Sequence, residues 1–194
     1  MSEIAPGRAR AGRPRSEACD LAIEDAVLDL LVEDGYQGVT MEGVAARAGV
    51  GKATVYRRWS ARDSMVLDAV LRRCEEHIVS PDTGCLRGDL VEYGQALLGK
   101  FRKDGPILAA FVAETARNPA LAELFRRTFL DDRRAAIREI LARGVARGEL
   151  AADADLELLG DLSSALLWHR MAVTGAPLTD DLPERIAELI VACH

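Results

Sequence analysis

The chain has 194 residues, is 49% hydrophobic and carries a formal net charge of −6, so it can form a sizeable core in one or two domains. No apolar run approaches the roughly 18 residues that span a bilayer, no hydrophobic segment follows the N-terminal arginines as in a secretory signal, and the four cysteines lack the spacing of a zinc site. These features exclude a membrane protein and predict a reduced, cytoplasmic protein with no metal and no cofactor.

Positive charge is concentrated in two stretches of the N-terminal third. Residues 1–15 carry four arginines against one glutamate, and residues 35–62 carry five basic side chains against one glutamate. The rest of the chain is acidic and accounts for the negative net charge. This asymmetry indicates an anionic partner for the N-terminal part, although the chain as a whole is acidic.

The first elements follow from the spacing of apolar residues. Residues 1–15 are rich in glycine, proline and arginine and lack any helical period, which predicts a disordered arm. From Ser16 onward, apolar residues recur at intervals of three and four positions, which predicts a helix that ends at Gly35. The apolar face of this helix comprises Ile23, Ala26, Val27, Leu30 and Leu31.

Shorter helices are predicted next. Thr40 is placed to cap a short helix that ends at Gly49. A second short helix is predicted from about Gly51 to Arg58, and a longer one over residues 61–79. Further helices are predicted over residues 86–103, 106–117, 119–147, 154–174 and 181–193. No alternating strand pattern is present, so we expect an all-α fold of about nine helices: an arm (1–15), a basic front domain (16–62) and a larger acidic body (63–194).

The stretch GVGKATVYRRW, residues 49–59, decides what the front domain does. It is not a Walker nucleotide-binding loop, because Ala46 stands where that motif needs glycine, Ala53 follows the lysine and no strand precedes it. It is not a buried helix, because its lysine and arginines would then be unpaired charges in the core. Two short helices joined by a tight glycine-containing turn, the second of them basic, indicate a helix-turn-helix that displays its second helix to DNA.

The residue types of this second helix suit contact with DNA. Thr54 and Arg57 can form hydrogen bonds with base edges, and arginine is well suited to guanine. Lys52 attracts phosphate. The helix N-termini at Thr40 and Gly51 present backbone amides that can bind phosphate.

Residues 23–66 resemble the DNA-binding domain of the tetracycline-repressor (TetR) family. The shared features are the amphipathic first helix, the turn DGY, the motifs TMEGVAARAGV and KATVY, an aromatic residue at Trp59 and SARD at the start of the fourth helix. Ser60 departs from the proline that many members have there, and a serine can serve the same turn. The resemblance implies a three-helix DNA-binding domain followed by a larger helical domain for ligand binding and dimerisation.

The resemblance also implies roles for single residues. Thr40 and Tyr56 are expected to anchor phosphates, and Lys52 is expected to contact a phosphate or the groove edge. The groove-facing set comprises Gly51, Ala53, Thr54 and Arg57, with DNA-backbone contacts from Arg58 and Arg62 and minor-groove contacts from Arg13 and Arg15. Two alternatives stay open: Tyr56 packs in the core, and the arm arginines belong to a solvated tail.

A homodimer is expected, because one helix-turn-helix reads too few base pairs for specificity and dimers bind palindromic operators. The segments 154–174 and 181–193 carry apolar side chains together with small residues that would let a partner helix approach. The predicted interface comprises Leu159, Leu162, Ser163, Leu166, Ile186, Leu189 and Ile190. The alternative is that these faces only complete the core of the monomer.

The resemblance further implies an effector pocket in the body, whose occupation moves the two DNA-binding heads apart. The candidate lining residues are Cys74, His77, Tyr93, Phe101, Phe111, Glu114, Trp168 and His169. Each of them is alternatively an ordinary core or surface residue. Because aromatic residues make up only 5% of the chain, we expect a mainly aliphatic pocket with few polar groups.

The sequence thus predicts a ligand-responsive transcription regulator, a repressor that an unknown small molecule releases from DNA. Two alternatives from other classes stay open. One is an α-helical adaptor that binds protein through its final helices. The other is an enzyme that uses His77, His169, Glu114 or Asp161, for which the sequence offers neither a nucleophile elbow nor an HExxH motif.

Overall fold

The computed structural model of the protein describes residues 14–73 and 80–192, and every regular element in these ranges is helical. The α-helices are α1 (Pro14–Gly38), α2 (Met41–Arg47), α3 (Lys52–Arg58), α4 (Arg62–Arg73), α5 (Leu86–Thr115), α6 (Pro119–Phe125), α7 (Asp131–Ala146), α8 (Leu156–His169) and α9 (Leu182–Val191). A first π-turn (Arg126–Leu130) joins α6 to α7, and a second (Arg170–Thr174) continues α8. For these residues the predicted all-α fold of about nine helices is confirmed. None of their helices is long and apolar enough to cross a membrane.

Helix α1 begins earlier than the sequence pattern predicts. Pro14 and Arg15, which the pattern assigns to a disordered arm, belong to the first turn of α1, because proline has a helical φ and its missing N–H is not needed there. The remainder of the arm, residues 1–13, lies outside the described residues. Gly35 interrupts the helix with φ of 69° and ψ of 177°, which agrees with the stop predicted at this glycine.

The chain divides within α4 into an N-terminal unit (Met1–Ala69) and a C-terminal unit (Val70–His194). The core of the N-terminal unit is built from helices α1 to α4. All five residues of the predicted apolar face of α1 are buried in it. From the other helices, Val44, Val55, Met65 and Val66 join them with no exposed surface.

The core of the C-terminal unit surrounds α5, which packs against α9 and α7, while α7 also packs against α8. Helix α5 runs through Pro106, whereas the sequence pattern predicts a break before that residue. Asp104 and Leu108, on either side of the proline, are buried. Gly105 packs so closely that an added Cβ would lie 2.4 Å from the sulfur of Met171. Tertiary packing therefore holds the helix across a proline that would end an isolated one.

A buried carboxylate ties the segment before α5 to α7. Asp89 has no exposed surface and accepts hydrogen bonds from the backbone N–H and the hydroxyl of Thr83 at 2.6 and 2.7 Å. Nη2 of Arg147 lies 3.0 Å from this carboxylate, and Nη2 of Arg143 lies 3.7 Å from it. Burial pushes the pKa of Asp89 upward, but the bonds from Thr83 and Arg147 outweigh burial and lower that pKa. Asp89 is therefore an ionised, fully paired part of the core.

Candidate nucleic-acid interface

Helices α2 and α3 form a helix-turn-helix. Oγ1 of Thr40 accepts a hydrogen bond from the N–H of Gly43 at 3.0 Å and so caps α2, as predicted. At the end of α2, Gly49 has a φ of 65°, a left-handed conformation that suits glycine. The N–H of Val50 then bonds to the carbonyl of Ala45 at 3.0 Å, and the chain turns directly into α3.

A single side chain seats α3 in the core. Among the seven residues of α3, Val55 alone is buried, and it has no exposed surface. Just after the helix, Trp59 is half-buried and its indole N–H donates to Oδ2 of Asp68 at 3.2 Å. The other side chains of α3 are exposed or half-buried. Most of this helix is therefore available for contact with another molecule.

The residues predicted to face the groove lie together on this surface. Gly51, Lys52, Ala53 and Arg57 are exposed, and Thr54 is half-buried. Tyr56 is 49% exposed, which rules out the alternative that it is a core residue. Among the side chains that the structure describes, none forms a hydrogen bond or an ion pair with Arg57. Its guanidinium can bind a partner without giving up such an interaction with any of them.

Two further arginines of the predicted set are engaged within the N-terminal unit. Arg58 forms an ion pair with Asp20. The guanidinium carbon of Arg62 lies 4.8 Å from the centre of the Tyr36 ring. A DNA contact from either arginine would compete with these interactions. Arg13 and the side chain of Arg15 lie outside the described residues.

Tyr56 is joined to a residue that sequence reasoning left out of the site. Its hydroxyl donates a hydrogen bond to Oε1 of Glu42, in the first turn of α2, at 2.9 Å. This bond raises the pKa of Tyr56 and lowers the pKa of Glu42. The charged carboxylate repels phosphate and competes with it for the tyrosine hydroxyl. Glu42 is the one acidic residue in the basic stretch 35–62. This isolated negative charge is the sequence feature from which its place in the site could have been predicted.

We expect Glu42→Gln to tighten DNA binding. The glutamine keeps the size of the side chain but removes its charge and weakens its hold on Tyr56. The gain should be roughly threefold to tenfold in Kd, since a charged hydrogen bond exceeds a neutral one by about 1 kcal/mol. Fluorescence anisotropy with a labelled duplex measures it. Glu92→Gln, an exposed residue of α5, controls for net charge. Affinity equal to or below that of the wild type would contradict the competition between Glu42 and phosphate.

The C-terminal unit encloses a cavity of about 270 Å³. Its apolar wall comprises Leu97, Phe101, Leu108, Phe129, Leu130, Ile137, Leu156 and Trp168. Among the predicted effector contacts, Tyr93, Phe101 and Trp168 line this cavity. These three residues come from α5 and α8, so the fold brings together positions that are far apart in the sequence.

Three other predicted effector contacts lie outside this cavity. Phe111 is fully buried and packs on Phe125 with ring centres 5.4 Å apart. Glu114 is half-buried near the end of α5, and His169 lines a separate open groove. Cys74 and His77 fall outside the described residues.

The expectation of a mainly aliphatic pocket with few polar groups is wrong for this cavity. Charged side chains of α7 and α8 also line it, namely Arg133, Arg134, Arg138, Glu157 and Asp161. All except the half-buried Arg133 are exposed. The apolar faces of α7 and α8 line the inside of the cavity, while their solvated faces form its mouth.

The predicted dimer residues fall into two groups. Those that belong to the core of the C-terminal unit are Leu159, Ser163, Ile186 and Ile190, with Leu162 partly buried against it. Leu166 and Leu189 are instead 36% and 58% exposed and line the same open groove. The first group completes the core of the unit, as the alternative interpretation holds, and the second presents apolar surface to solvent.

A capped helix, a tight turn and a basic second helix seated by one apolar side chain define a helix-turn-helix DNA-binding protein. Residues 23–69 match the family model of bacterial regulatory proteins, tetR family, and residues 80–190 match that of the tetracyclin repressor-like C-terminal domain. The chain belongs to the TetR family and is a DNA-binding transcriptional regulator.

Relatives support the same assignment over most of the chain. An HTH-type transcriptional regulator of Mycobacterium tuberculosis is 35% identical over 164 residues, covering 84% of this chain and 81% of the relative. The DNA-binding transcriptional repressor TetR of Mycobacteroides abscessus is 31% identical over 182 residues, which cover 90% of this chain and 92% of the relative. The structure of the transcriptional regulator FadR from Bacillus subtilis in complex with stearoyl-CoA shares the fold, with a TM-score of 0.72 and 18% identity. The match covers 90% of this chain and 98% of FadR. The family consists of transcriptional regulators rather than enzymes.

Proposed function

We propose that the chain represses transcription as a homodimer on a palindromic operator and that a small-molecule effector in the cavity of the C-terminal unit releases it. One observation carries the DNA-binding half of this proposal: α3 buries Val55 and exposes Lys52, Tyr56 and Arg57. A helix of this kind fits the major groove with its polar face toward the bases.

Contacts on α2 and α3 divide into two kinds. Lys52, the hydroxyl of Tyr56 and the N-terminus of α2 at Thr40 bind phosphates and set the position of the protein on the duplex. Arg57 and Thr54 read base edges, with Arg57 directed to guanine. The first kind supplies affinity for any sequence, and the second supplies discrimination between sequences.

Dimerisation supports specificity, because two heads read two half-sites about 34 Å apart or at a multiple of that distance. The exposed leucines Leu166 and Leu189 offer an apolar face that a second copy can cover. For release, the cavity offers a site within the C-terminal unit that has an apolar wall and a charged mouth. The relative from Mycobacteroides abscessus, a DNA-binding transcriptional repressor, favours repression over activation.

Selection from a randomised duplex library tests the proposal, because the library contains every candidate half-site sequence. The purified chain should enrich an inverted repeat that binds two protomers per duplex. An enriched site without twofold symmetry, or no enrichment at low ionic strength, would contradict the proposal.

Replacing Arg57 with alanine should relax base preference. We expect a loss of roughly 1–3 kcal/mol per half-site on the selected operator, concentrated at the base pair that Arg57 reads. Anisotropy titrations against the operator and its single-base variants measure both effects. Arg127→Ala, an exposed arginine of the first π-turn, is the matched control. Operator affinity equal to that of the wild type would remove Arg57 from the interface.

Replacing Lys52 with alanine should act differently. Binding should weaken by a similar factor on every duplex, and the slope of log Kobs against log salt should fall by about 2 per dimer, since each lost phosphate contact releases about 0.9 counterions fewer. Titrations at several salt concentrations give the slope. An unchanged slope would show that Lys52 contacts no phosphate.

A further inference from the structure

The cavity of the C-terminal unit has an uneven distribution of charge. Three arginines of α7 and two carboxylates of α8 line it, so its walls carry one excess positive charge. Both carboxylates, Glu157 and Asp161, are exposed and are therefore screened by water. The most enclosed charged group of the lining is Arg133, which is half-buried.

Arg133 is held firmly at this wall. Its guanidinium carbon lies 3.4 Å from the centre of the Phe129 ring, and Nη1 donates to the carbonyl of Phe129 at 2.7 Å. A guanidinium that is stacked and hydrogen-bonded loses little further freedom when it binds a carboxylate. The first π-turn, which supplies Phe129 and Leu130 to the lining, positions this stack.

Tyr93 adds a neutral donor next to the backbone of Arg133. Its hydroxyl donates to the carbonyl of Arg133 at 3.4 Å, a long bond that a ligand carboxylate can replace. Burial raises the pKa of Tyr93 to about 12, although the charge of Arg133 opposes the shift. The phenol therefore keeps its proton at neutral pH and can donate a hydrogen bond to an anion.

We propose that the cavity binds an amphipathic monoanion whose carboxylate is held by Arg133 and Tyr93 and whose apolar body packs against Phe101, Phe129 and Trp168. Arginine and a phenol donor together suit a carboxylate. The cavity volume of about 270 Å³ is close to the lower end of the range of about 300–1,000 Å³ for ligand pockets, which favours a small ligand. This inference rests on the proposed function, in which the same cavity holds the effector.

Tryptophan fluorescence of the full chain provides the test, because Trp168 lines the cavity and Trp59 is the only other tryptophan. The probes are decanoate, decanol and decylammonium, which share one apolar chain and differ in the charge of the head group. We expect decanoate to bind at least tenfold tighter than the other two. The signal should persist in Trp59→Phe and vanish in Trp168→Phe.

Variants of the carboxylate-binding pair complete the design. Arg133→Met keeps an apolar stem and should reduce the preference for decanoate over decanol to threefold or less, whereas Arg127→Met should leave it unchanged. Tyr93→Phe should weaken the binding of decanoate but not the binding of decanol or decylammonium. If Arg133→Met does not fold, this variant serves as the test of the carboxylate-binding pair. Equal or tighter binding of decanol or decylammonium, a preference that survives in folded Arg133→Met, or no binding of any probe overturns the inference.

A second arm separates this inference from the proposed function. The same probes are added to the complex with the selected operator, and duplex release is followed by anisotropy. Decanoate that binds without releasing the duplex contradicts the effector role but not the anion preference. Release by decanol or decylammonium as effective as release by decanoate contradicts the anion preference but leaves the effector role intact.

Discussion

Asp89→Ala is expected to lower the free energy of unfolding by about 3 kcal/mol. The carboxylate has no exposed surface and receives bonds from Thr83 and Arg147. Removal of one partner from a buried ion pair costs about 3–5 kcal/mol, because the other charge loses its partner. The lower end of that range applies here, since the side chains of Arg143 and Arg147 are 22% and 27% exposed. Urea denaturation followed by circular dichroism measures the loss.

Asp82→Ala is the matched control for this loss. Asp82 lies 3.9 Å from Arg143 and 3.5 Å from Arg147, but its side chain is 65% exposed. An exposed ion pair contributes only about 0–1 kcal/mol, so the control should be near wild type. Equal losses in the two variants would mean that burial of Asp89 does not determine its contribution.

The pH dependence of stability gives an independent test of Asp89. Its pKa is lowered in the folded state, so its contribution is fully present above the unfolded pKa of about 3.9 and is lost as the pH falls through the folded pKa. The free-energy difference between wild type and Asp89→Ala should therefore shrink below pH 4, where the carboxylate of the unfolded chain takes up a proton before that of the folded chain does. A difference that stays constant down to acid unfolding would contradict the ionised pair.

The second large effect is expected from the exposed leucines of α8 and α9. Leu166→Arg combined with Leu189→Arg should convert the proposed dimer to a monomer with the mass of a single chain, 21.0 kDa for the wild type, because each substitution places a charge in the proposed apolar interface. Operator affinity should fall roughly 100-fold or more, since a monomer reads one half-site only. Sedimentation velocity and anisotropy titration measure the two effects.

Both positions are solvent-exposed in the single chain, so the double variant should fold. Leu124→Arg is the matched control: this leucine of α6 is 41% exposed and lies outside α8 and α9. The control should stay dimeric and bind the operator normally. A dimeric double variant, or a monomeric double variant with wild-type operator affinity, would contradict the proposed interface.

Local patterns sufficed to predict most of the N-terminal unit. The period of apolar residues in α1 reflects burial on one face, and all five predicted positions are buried. The Thr40 cap and the turn at Gly49 depend on interactions within a few residues. Both can therefore be predicted from the local sequence. The same reasoning predicted the exposed, basic side chains of α3, because their burial would be too costly.

Features that depend on distant contacts could not be predicted in this way. Pro106 lies inside α5 because neighbouring residues pack against other helices, among them Met171. The two π-turns divide segments that a helical period presents as continuous. The bond between Tyr56 and Glu42 joins residues of two helices, and its donor and acceptor are adjacent only once the turn at Gly49 has formed.

The arginines of the cavity illustrate the same limit. Arg134 and Arg138 are four positions apart on α7, a spacing typical of a solvated helix face. Their place beside an apolar cavity follows from how α5, α7 and α8 pack, and a helical period gives no information on that packing. The position of Phe129 in the cavity wall could likewise not be predicted, because this residue belongs to the first π-turn.

In the proposed homodimer, two copies of α3 read two halves of one duplex. An anisotropy titration of the wild-type chain tests this arrangement at fixed salt, against the selected inverted repeat and against the same duplex with one half-site scrambled. The proposed homodimer predicts two protomers per intact duplex and a loss of roughly 100-fold or more on the scrambled one, since each mismatched base pair costs about 1–3 kcal/mol. Equal affinity for the two duplexes would contradict it.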